Sequence, residues 1–462
     1  MTFVVTTDYE IDKIAAPNLP LAPEQWDRRF QDQYSNVLRL YFNRLDNFIA
    51  RLMANASTLP VSGTVSLPPT YLDAFGRQRV SQPFTLFDSQ NRYAADNQFD
   101  VATTGTGTTS FLSNEAAVKM EVTGAGVGSV KRQSYRSFPY QPGKGLLVLA
   151  TFVMDSSQSL NLTQRVGYYN DQNGVFFQRV DGTYSFVLRS YVTGSVSDAR
   201  TVNQSAWNGD KLDGTGESGY TLDPSKAQIL WMDFEWLGVG SVRCGFIING
   251  EYIVCHTFTN ANEITNVYMT TAILPVRYEI VTSSALAASM KSICCSVVSE
   301  GGFEQTSIDH VARRTTVLGT IGTTFLPLVS IRLASGRTGA VVIPNRVQVL
   351  PTTSQNYEVA LIKNPTLTGA TWASTVPSDS NVDFDVAATA TTGGTIVQTD
   401  YVTSTGSGGT SGTSFAAAYN FDLQLGASIA GTSDIYTVAI RTVSGATTGD
   451  AVGSLSFFDL TQ

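Results

Sequence analysis

The stretch ILWMDFEWLGVGSVRCGFIINGEYIVCH, Ile229 to His256, decides the fold class. Leu230, Met232, Phe234 and Trp236 alternate with Trp231, Asp233 and Glu235, the two-residue period of a strand with two unlike faces. Residues 237–241, LGVGS, supply a glycine-bearing hairpin loop, and Val242, Cys244, Phe246 and Ile248 then alternate again. Asn249-Gly250 follows, and a type I′ turn needs φ > 0 at both central residues, which Asn and Gly tolerate best. A three-stranded meander this rich in aromatic and branched residues belongs in the middle of a β-sandwich.

The register of that meander carries further expectations. Glu235 faces Arg243 across the hairpin, a cross-strand ion pair worth about 0.2–1 kcal/mol. Cys244 faces Cys255 as a hydrogen-bonded pair, with Cα atoms about 5.5 Å apart. A disulfide just spans that distance, but two buried free thiols are the favoured reading, because cytosolic thiols stay reduced. Cys294 and Cys295 are adjacent, so on a strand they point to opposite sides. None of the four cysteines has zinc-ligand spacing with His256 or His310.

A chain of 462 residues is too long for one ordinary core, so more than one domain is expected. Charged residues are only 15% while 42% are apolar, a balance that suits turn-rich β domains and excludes wholesale disorder. The net charge of -8 argues against a nucleic-acid partner. No apolar run is long enough to insert in a bilayer, and MTFVVTTDYEIDK lacks the basic-then-apolar order of a secretion signal.

In chain order, residues 1–22 read as an extended arm, because Pro17 and Pro20 oppose a helix there. Pro23 suits the first position of a helix over residues 23–55, with Glu24 and Asp27 complementing its dipole. Tyr34, Leu38, Tyr41, Leu45, Phe48 and Leu52 form a heptad seam, which Trp26 and Phe30 extend. That stripe either lies on the β domains or forms an oligomer or partner interface; its aromatic content favours the interface. Residues 56–80 read as a connector.

Residues 81–302 then read as a jelly-roll-like β-sandwich, with strands near 146–154, 165–171, 174–180 and 184–190. Asn173-Gly174 and Asp181-Gly182 are two-residue hairpin signals, and the acidic segment 208–223 is a loop. Residues 303–462, poor in charge and rich in Thr, Gly and Ser, read as a second sandwich of immunoglobulin size. Within it, TSTGSGGTSGTS at 403–414 reads as a flexible loop.

WMDFEWLG resembles the active-site strand of the jelly-roll endoglucanases, where three carboxylates share one face as Glu-x-Asp-x-Glu. Asp233 matches the middle carboxylate and Glu235 the acid/base, but Trp231 stands where the nucleophile is needed. A covalent retaining mechanism therefore lacks one partner. The remaining functional reading is a glycan contact, with Trp231 as a stacking plate beside Asp233 and Glu235. The carboxylates of 208–223 match no EF-hand spacing, and two histidines without a Gly-x-Ser-x-Gly elbow give a serine hydrolase no basis.

A wider resemblance covers most of the chain. LPLAPEQWDRRFQDQYSNVLRLYFNRLDNF, FGRQRVSQPFTLFDS, WNGDKLDG and DFEWLGVGSVR, with the later FLPLVSIRL and KNPTLTGATW, resemble virion structural proteins of tailed bacteriophages, especially marine and cyanobacterial ones. The resemblance implies a place in a particle, assembled in the bacterial host cytoplasm, and a fibre, spike, tail-associated or decoration role. It implies no enzymatic activity, no cofactor and no transferred site residues. The expected partners are further copies of the chain, with a trimer favoured, other virion proteins and a host-surface glycan.

Overall fold

The computed structural model describes positions 32, 34–36, 38–40, 42, 43, 45 and 46, then residues 83–461 except 157–159, 305, 306, 308, 375–379, 406–408, 411, 412, 417–420, 446 and 447. The chain divides into two compact units, Met1–Pro68 and Pro69–Gln462. In the first, the described positions between Asp32 and Asp46 are helical. Tyr34 and Leu45 are exposed there, while Leu38 is half-buried. Trp26, Phe30, Tyr41, Phe48 and Leu52, the arm 1–22, the connector 56–80 and both expected helix ends lie outside the described residues. Among the described residues no helix is long and apolar enough to cross a membrane.

The second unit is mainly β. Its first half packs two antiparallel sheets around one core. The first sheet runs Glu251–Phe258, Val242–Ile248, Gln228–Phe234, Gly145–Val153, Ala287–Glu300, Ala117–Thr123, Gly107–Leu112, with Phe84–Gln90 also paired to Ala287–Glu300. The second runs Ser197–Asn203, Thr183–Ser190, Gly174–Val180, Leu162–Tyr169, Val276–Thr282, Gly128–Ser134, Phe99–Gly105. The meander read from the sequence is thus present and ends the first sheet.

Alternation sorts its residues as expected. Leu230, Met232, Phe234, Val242, Cys244 and Phe246 enter the shared core. Rings bridge the layers: Tyr168 lies 5.6 Å from Phe234, and Phe177 meets Phe246 at 5.2 Å and 88°. Each fully buried side chain of this kind contributes roughly 1.5–3 kcal/mol, and these rings add contacts that span the two layers.

Turn signals divide into those that act locally and those that do not. Asn249 and Gly250 have φ of 54° and 85°, and Ile248 pairs with Glu251, a two-residue I′ hairpin. Asp181-Gly182 does the same between Val180 and Thr183. Asn173-Gly174 does not. Tyr169 pairs with Gly174, so the loop is 170–173 and Gly174 already belongs to a strand. The Asn170 carboxamide accepts the N–H groups of Gln172 and Asn173 at 2.8 Å and builds the turn one step earlier. Asn173 is instead buried, donating to Thr270 Oγ1 at 2.7 Å and accepting from the Thr270 N–H at 3.0 Å.

The second half builds another two-sheet core. A four-stranded sheet runs Asp309–Ile321, Gly449–Asp459, Val342–Pro351, Thr413–Ala416. A seven-stranded sheet has Leu326–Leu333, Ile435–Thr442 and Asn356–Lys363 at its centre. Ile331, Val359, Val438, Leu455 and Phe457 meet between them. The tract 403–414, expected as a loop, contains the end of strand Thr395–Thr405 and the strand residues Gly409, Thr410, Thr413 and Ser414. Thr is a good strand residue, and pairing of Thr413 and Ser414 with Val342–Pro351 outweighs the flexibility that glycine suggested.

The two sandwiches are joined by more than a linker. Phe84, Phe303 and Phe421 cluster with centroids 5.1–5.7 Å apart. Arg136, 8% exposed, donates to the Phe421 carbonyl and to Gln98, and pairs with Asp422 at 3.6 Å. Gln424 donates to the Ser137 carbonyl at 2.7 Å, and the Ala427 N–H to the Tyr135 carbonyl at 2.8 Å. Segment 421–434 of the second sandwich is therefore fastened to the first by directional bonds.

Candidate functional site

Trp231 and Asp233 share one side of strand Gln228–Phe234, but not a wet one, and Glu235 lies beyond the strand's end. Trp231 and Asp233 are 0% exposed. The Trp231 indole donates to the Ile253 carbonyl at 3.2 Å and crosses the neighbouring strand at Gly245. A Cβ at Gly245 would stand 2.9 Å from the indole nitrogen and 1.8 Å from the Ile253 oxygen, so only glycine lets the ring pass. Trp231 therefore cannot serve as a stacking plate for a sugar, which corrects that expectation.

The ion pair is also displaced by two residues. Asp233, not Glu235, lies opposite Arg243, and Arg243 Nε donates to Asp233 Oδ1 at 2.8 Å beside a second bond to Oδ2. The reason is loop length. Phe234 pairs with Val242, so the loop is 235–241 rather than 237–241. Glu235 closes that loop, accepting the N–H and O–H of Ser241 at 3.1 Å each.

The cysteine register is corrected as well. A bulge on the edge strand sets Cys244 opposite His256. Its cause is tertiary: the Gly209 and Asp210 N–H groups donate to the Cys255 and Val254 carbonyls at 2.9 Å, drawing the edge outward. Both thiols are free and buried, and burial pushes their pKa values up. His256 Nδ1 accepts the Asn208 N–H at 3.3 Å, and burial together with the Arg200 charge lowers its pKa to about 4. His256 is thus a neutral acceptor at the edge of the fold.

The acidic loop is ordered by its own carboxylates. Asp210 accepts the N–H groups of Leu212 and Ser218 at 2.8 Å each. Burial raises the Asp210 pKa, and those two N–H groups outweigh it and hold the carboxyl below its ordinary range. Trp207, Leu212 and Leu222 anchor the same loop in the core. Among the described residues no group of three or more His, Cys, Asp or Glu is placed to hold a metal ion.

The concave feature nearest the predicted strand begins one residue beyond Glu235. Trp236 leaves the sheet and lines a cleft of about 560 Å³ with Tyr140, Gln141, Lys144, Thr270, Thr271 and Glu304. The Trp236 N–H donates to Tyr140 Oη at 2.9 Å, and the two rings stand at 88° with centroids 5.9 Å apart. Gln141 accepts the Glu304 N–H at 2.9 Å and Lys144 Nζ at 3.0 Å, holding the inter-sandwich linker as one wall. A volume of this size is typical of small-ligand sites. Its lining comes from segments far apart in sequence, so no spacing rule could assemble it; the aromatic at Trp236 was the one local signal.

No family model and no curated protein matches the chain. Solved structures align with about half of it. The Emp47p carbohydrate recognition domain is 9% identical, covers 48% of this chain and 98% of that one, and has a TM-score of 0.30. The conserved carbohydrate esterase from Shiga toxin-encoding bacteriophage phi24B is 9% identical over 47% of this chain and 100% of that one, at 0.29. A protein of unknown function from Shewanella oneidensis MR-1 is 10% identical over 53% and 100%, at 0.30. At TM-scores this low the likenesses carry no argument.

Proposed function

We propose that this chain is a non-enzymatic structural component of a tailed-phage virion, a fibre, spike or tail-associated protein anchored through its N-terminal arm and helix. The observation that carries this reading is how its chemically capable residues are used. Asp233 is spent on Arg243, Glu235 on a loop closure, Asp210 on a turn and His256 on a backbone N–H. These are bonds that stabilise a scaffold. The phage-like phrases over most of the chain support that place, and the two sandwiches are fastened to each other through Arg136 and Phe421. A decoration or head-fibre position is the alternative within the same role. Purified particles carrying a C-terminal label on this chain test the reading: label on the particle supports it, and particles that lack the chain sink it.

A second reading, recognition of a host-surface glycan, is favoured by one observation, the cleft where Trp236 and Tyr140 meet Thr270 and Thr271. Aromatic faces take the apolar side of a pyranose, and hydroxyl and amide groups orient it. Glycan-array binding by the full chain that disappears in Trp236→Ala supports this role. Turnover of a polysaccharide abolished by Glu235→Gln would overturn the non-enzymatic reading instead.

A further inference from the structure

Among the described residues the first sandwich has five edge strands that could meet another chain, and three of them are guarded. Strand Glu251–Phe258 is bulged, and its outer side is taken by Gly209, Asp210 and the Asn208 side chain. Strand Ser197–Asn203 carries Asp198 and Arg200 and shifts register between Ser197 and Arg200. Strand Phe84–Gln90 shifts register between Thr85 and Phe87, and Gln98 donates to its Asp88 carbonyl at 3.3 Å. Bulges, charges and covering loops are the means by which sheet edges avoid pairing with other chains.

Of the two adjoining strands that remain, Phe99–Gly105 has Asp100 and the Ile429 contact, while Gly107–Leu112 carries no bulge, charge or covering contact among the described residues. Phe99–Gly105 ends one sheet and Gly107–Leu112 ends the other, and both pair with their inner neighbours without a break in register. The sequence FDVATTGTGTTSFL holds no Lys, Arg, Glu or Pro. Its one charge, Asp100, is turned to the Ile429 N–H at 2.7 Å. The two strands are one ribbon bent at a glycine corner. Gly105 has φ of 55°, and a Cβ at Gly105 or Gly107 would come within 2.1 and 2.0 Å of the Val127 and Ser129 oxygens. Thr108, Thr109 and Ser110 are exposed along the outer stretch.

We propose that the outer edge of strand Gly107–Leu112 pairs antiparallel with the same edge of a second copy of this chain, joining two sandwiches through one continuous sheet. The occupant follows from the residues. With a two-fold axis through the Thr109 pair, Thr109 meets Thr109, Thr108 meets Ser110 and Gly107 meets Phe111, so that opposed residues share a face. Each pair is uncharged, and the largest side chain faces glycine. Such an isologous contact is closed and self-complementary, and main-chain bonds supply its affinity.

Hydrogen exchange on the full chain tests it. In the wild type, peptides spanning 107–112 exchange more slowly as concentration rises, in step with a doubling of mass by sedimentation. Replacing Thr108 and Ser110 by lysine, which adds the kind of charge that strand Ser197–Asn203 carries at Arg200, removes both effects, while Thr109→Val keeps them. Exchange at 107–112 that is independent of concentration in the wild type overturns the proposal without any variant. Association that survives the double lysine substitution overturns it too. Protection that arises only with other particle proteins present assigns the edge to a different occupant and overturns the second-copy assignment.

Discussion

Asp233 and Arg243 lie directly opposite each other on the outer side of the hairpin formed by Gln228–Phe234 and Val242–Ile248, joined by two hydrogen bonds between a carboxylate that is 0% exposed and a guanidinium that is 11% exposed. Removing one partner of such a pair leaves a buried charge uncompensated. Asp233→Asn is expected to destabilise the protein by about 3 kcal/mol. Joint replacement of both residues by apolar ones of similar volume should recover most of the loss. Urea titration of the four members of that cycle measures both; equal losses in the single and joint variants would refute the account.

Two glycines of the same hairpin should respond differently to a methyl group. Gly250→Ala meets nothing within 4 Å and suffers only from φ of 85°, a cost of about 1 kcal/mol. Gly245→Ala drives a Cβ into the Ile253 carbonyl and the Trp231 indole and should cost about 3 kcal/mol or more. Thermal melts of both variants check the order. Indole fluorescence should change only in the second, because only there is a tryptophan displaced.

His256 sets a pH limb. Its ordinary value is 6.5 and its folded value about 4, so between them the unfolded chain binds a proton that the folded chain refuses. Stability is therefore fully present above pH 6.5 and declines as pH falls toward 4. His256→Gln should flatten that part of a stability-against-pH curve. An unchanged slope would place the acid sensitivity elsewhere.

Arg136 tests whether the sandwiches unfold together. Arg136→Ala leaves the buried Phe421 carbonyl without this donor and removes bonds worth about 1.5–3 kcal/mol. A calorimetric scan is expected to pass from one transition to two, since each sandwich keeps a core of its own. A single transition that merely moves to lower temperature would mean the cores are coupled by other contacts.

Much of the fold was legible because its signals are local. Alternation placed the central meander and the strands at 174–180 and 184–190. Asn249-Gly250 and Asp181-Gly182 acted as turns because φ > 0 is a property of those residues and needs no neighbour. The candidate site was far less legible. The cleft joins Tyr140, Trp236, Thr270 and Glu304, and nothing in their spacing reveals that they meet.

By itself, then, the sequence determined the strands of the opening meander, which of their faces is apolar, and the two-residue turns at Asn249-Gly250 and Asp181-Gly182. Tertiary structure decided the rest. Asn173 became a buried anchor because Asn170 could build the turn first. Cys244 lost Cys255 because Gly209 and Asp210 claimed the edge strand. Trp231 was buried because Gly245 lets it cross the sheet. In each case the competing partner lies outside the local window, and a backbone group or ring that must be satisfied takes whichever partner the folded chain brings nearest.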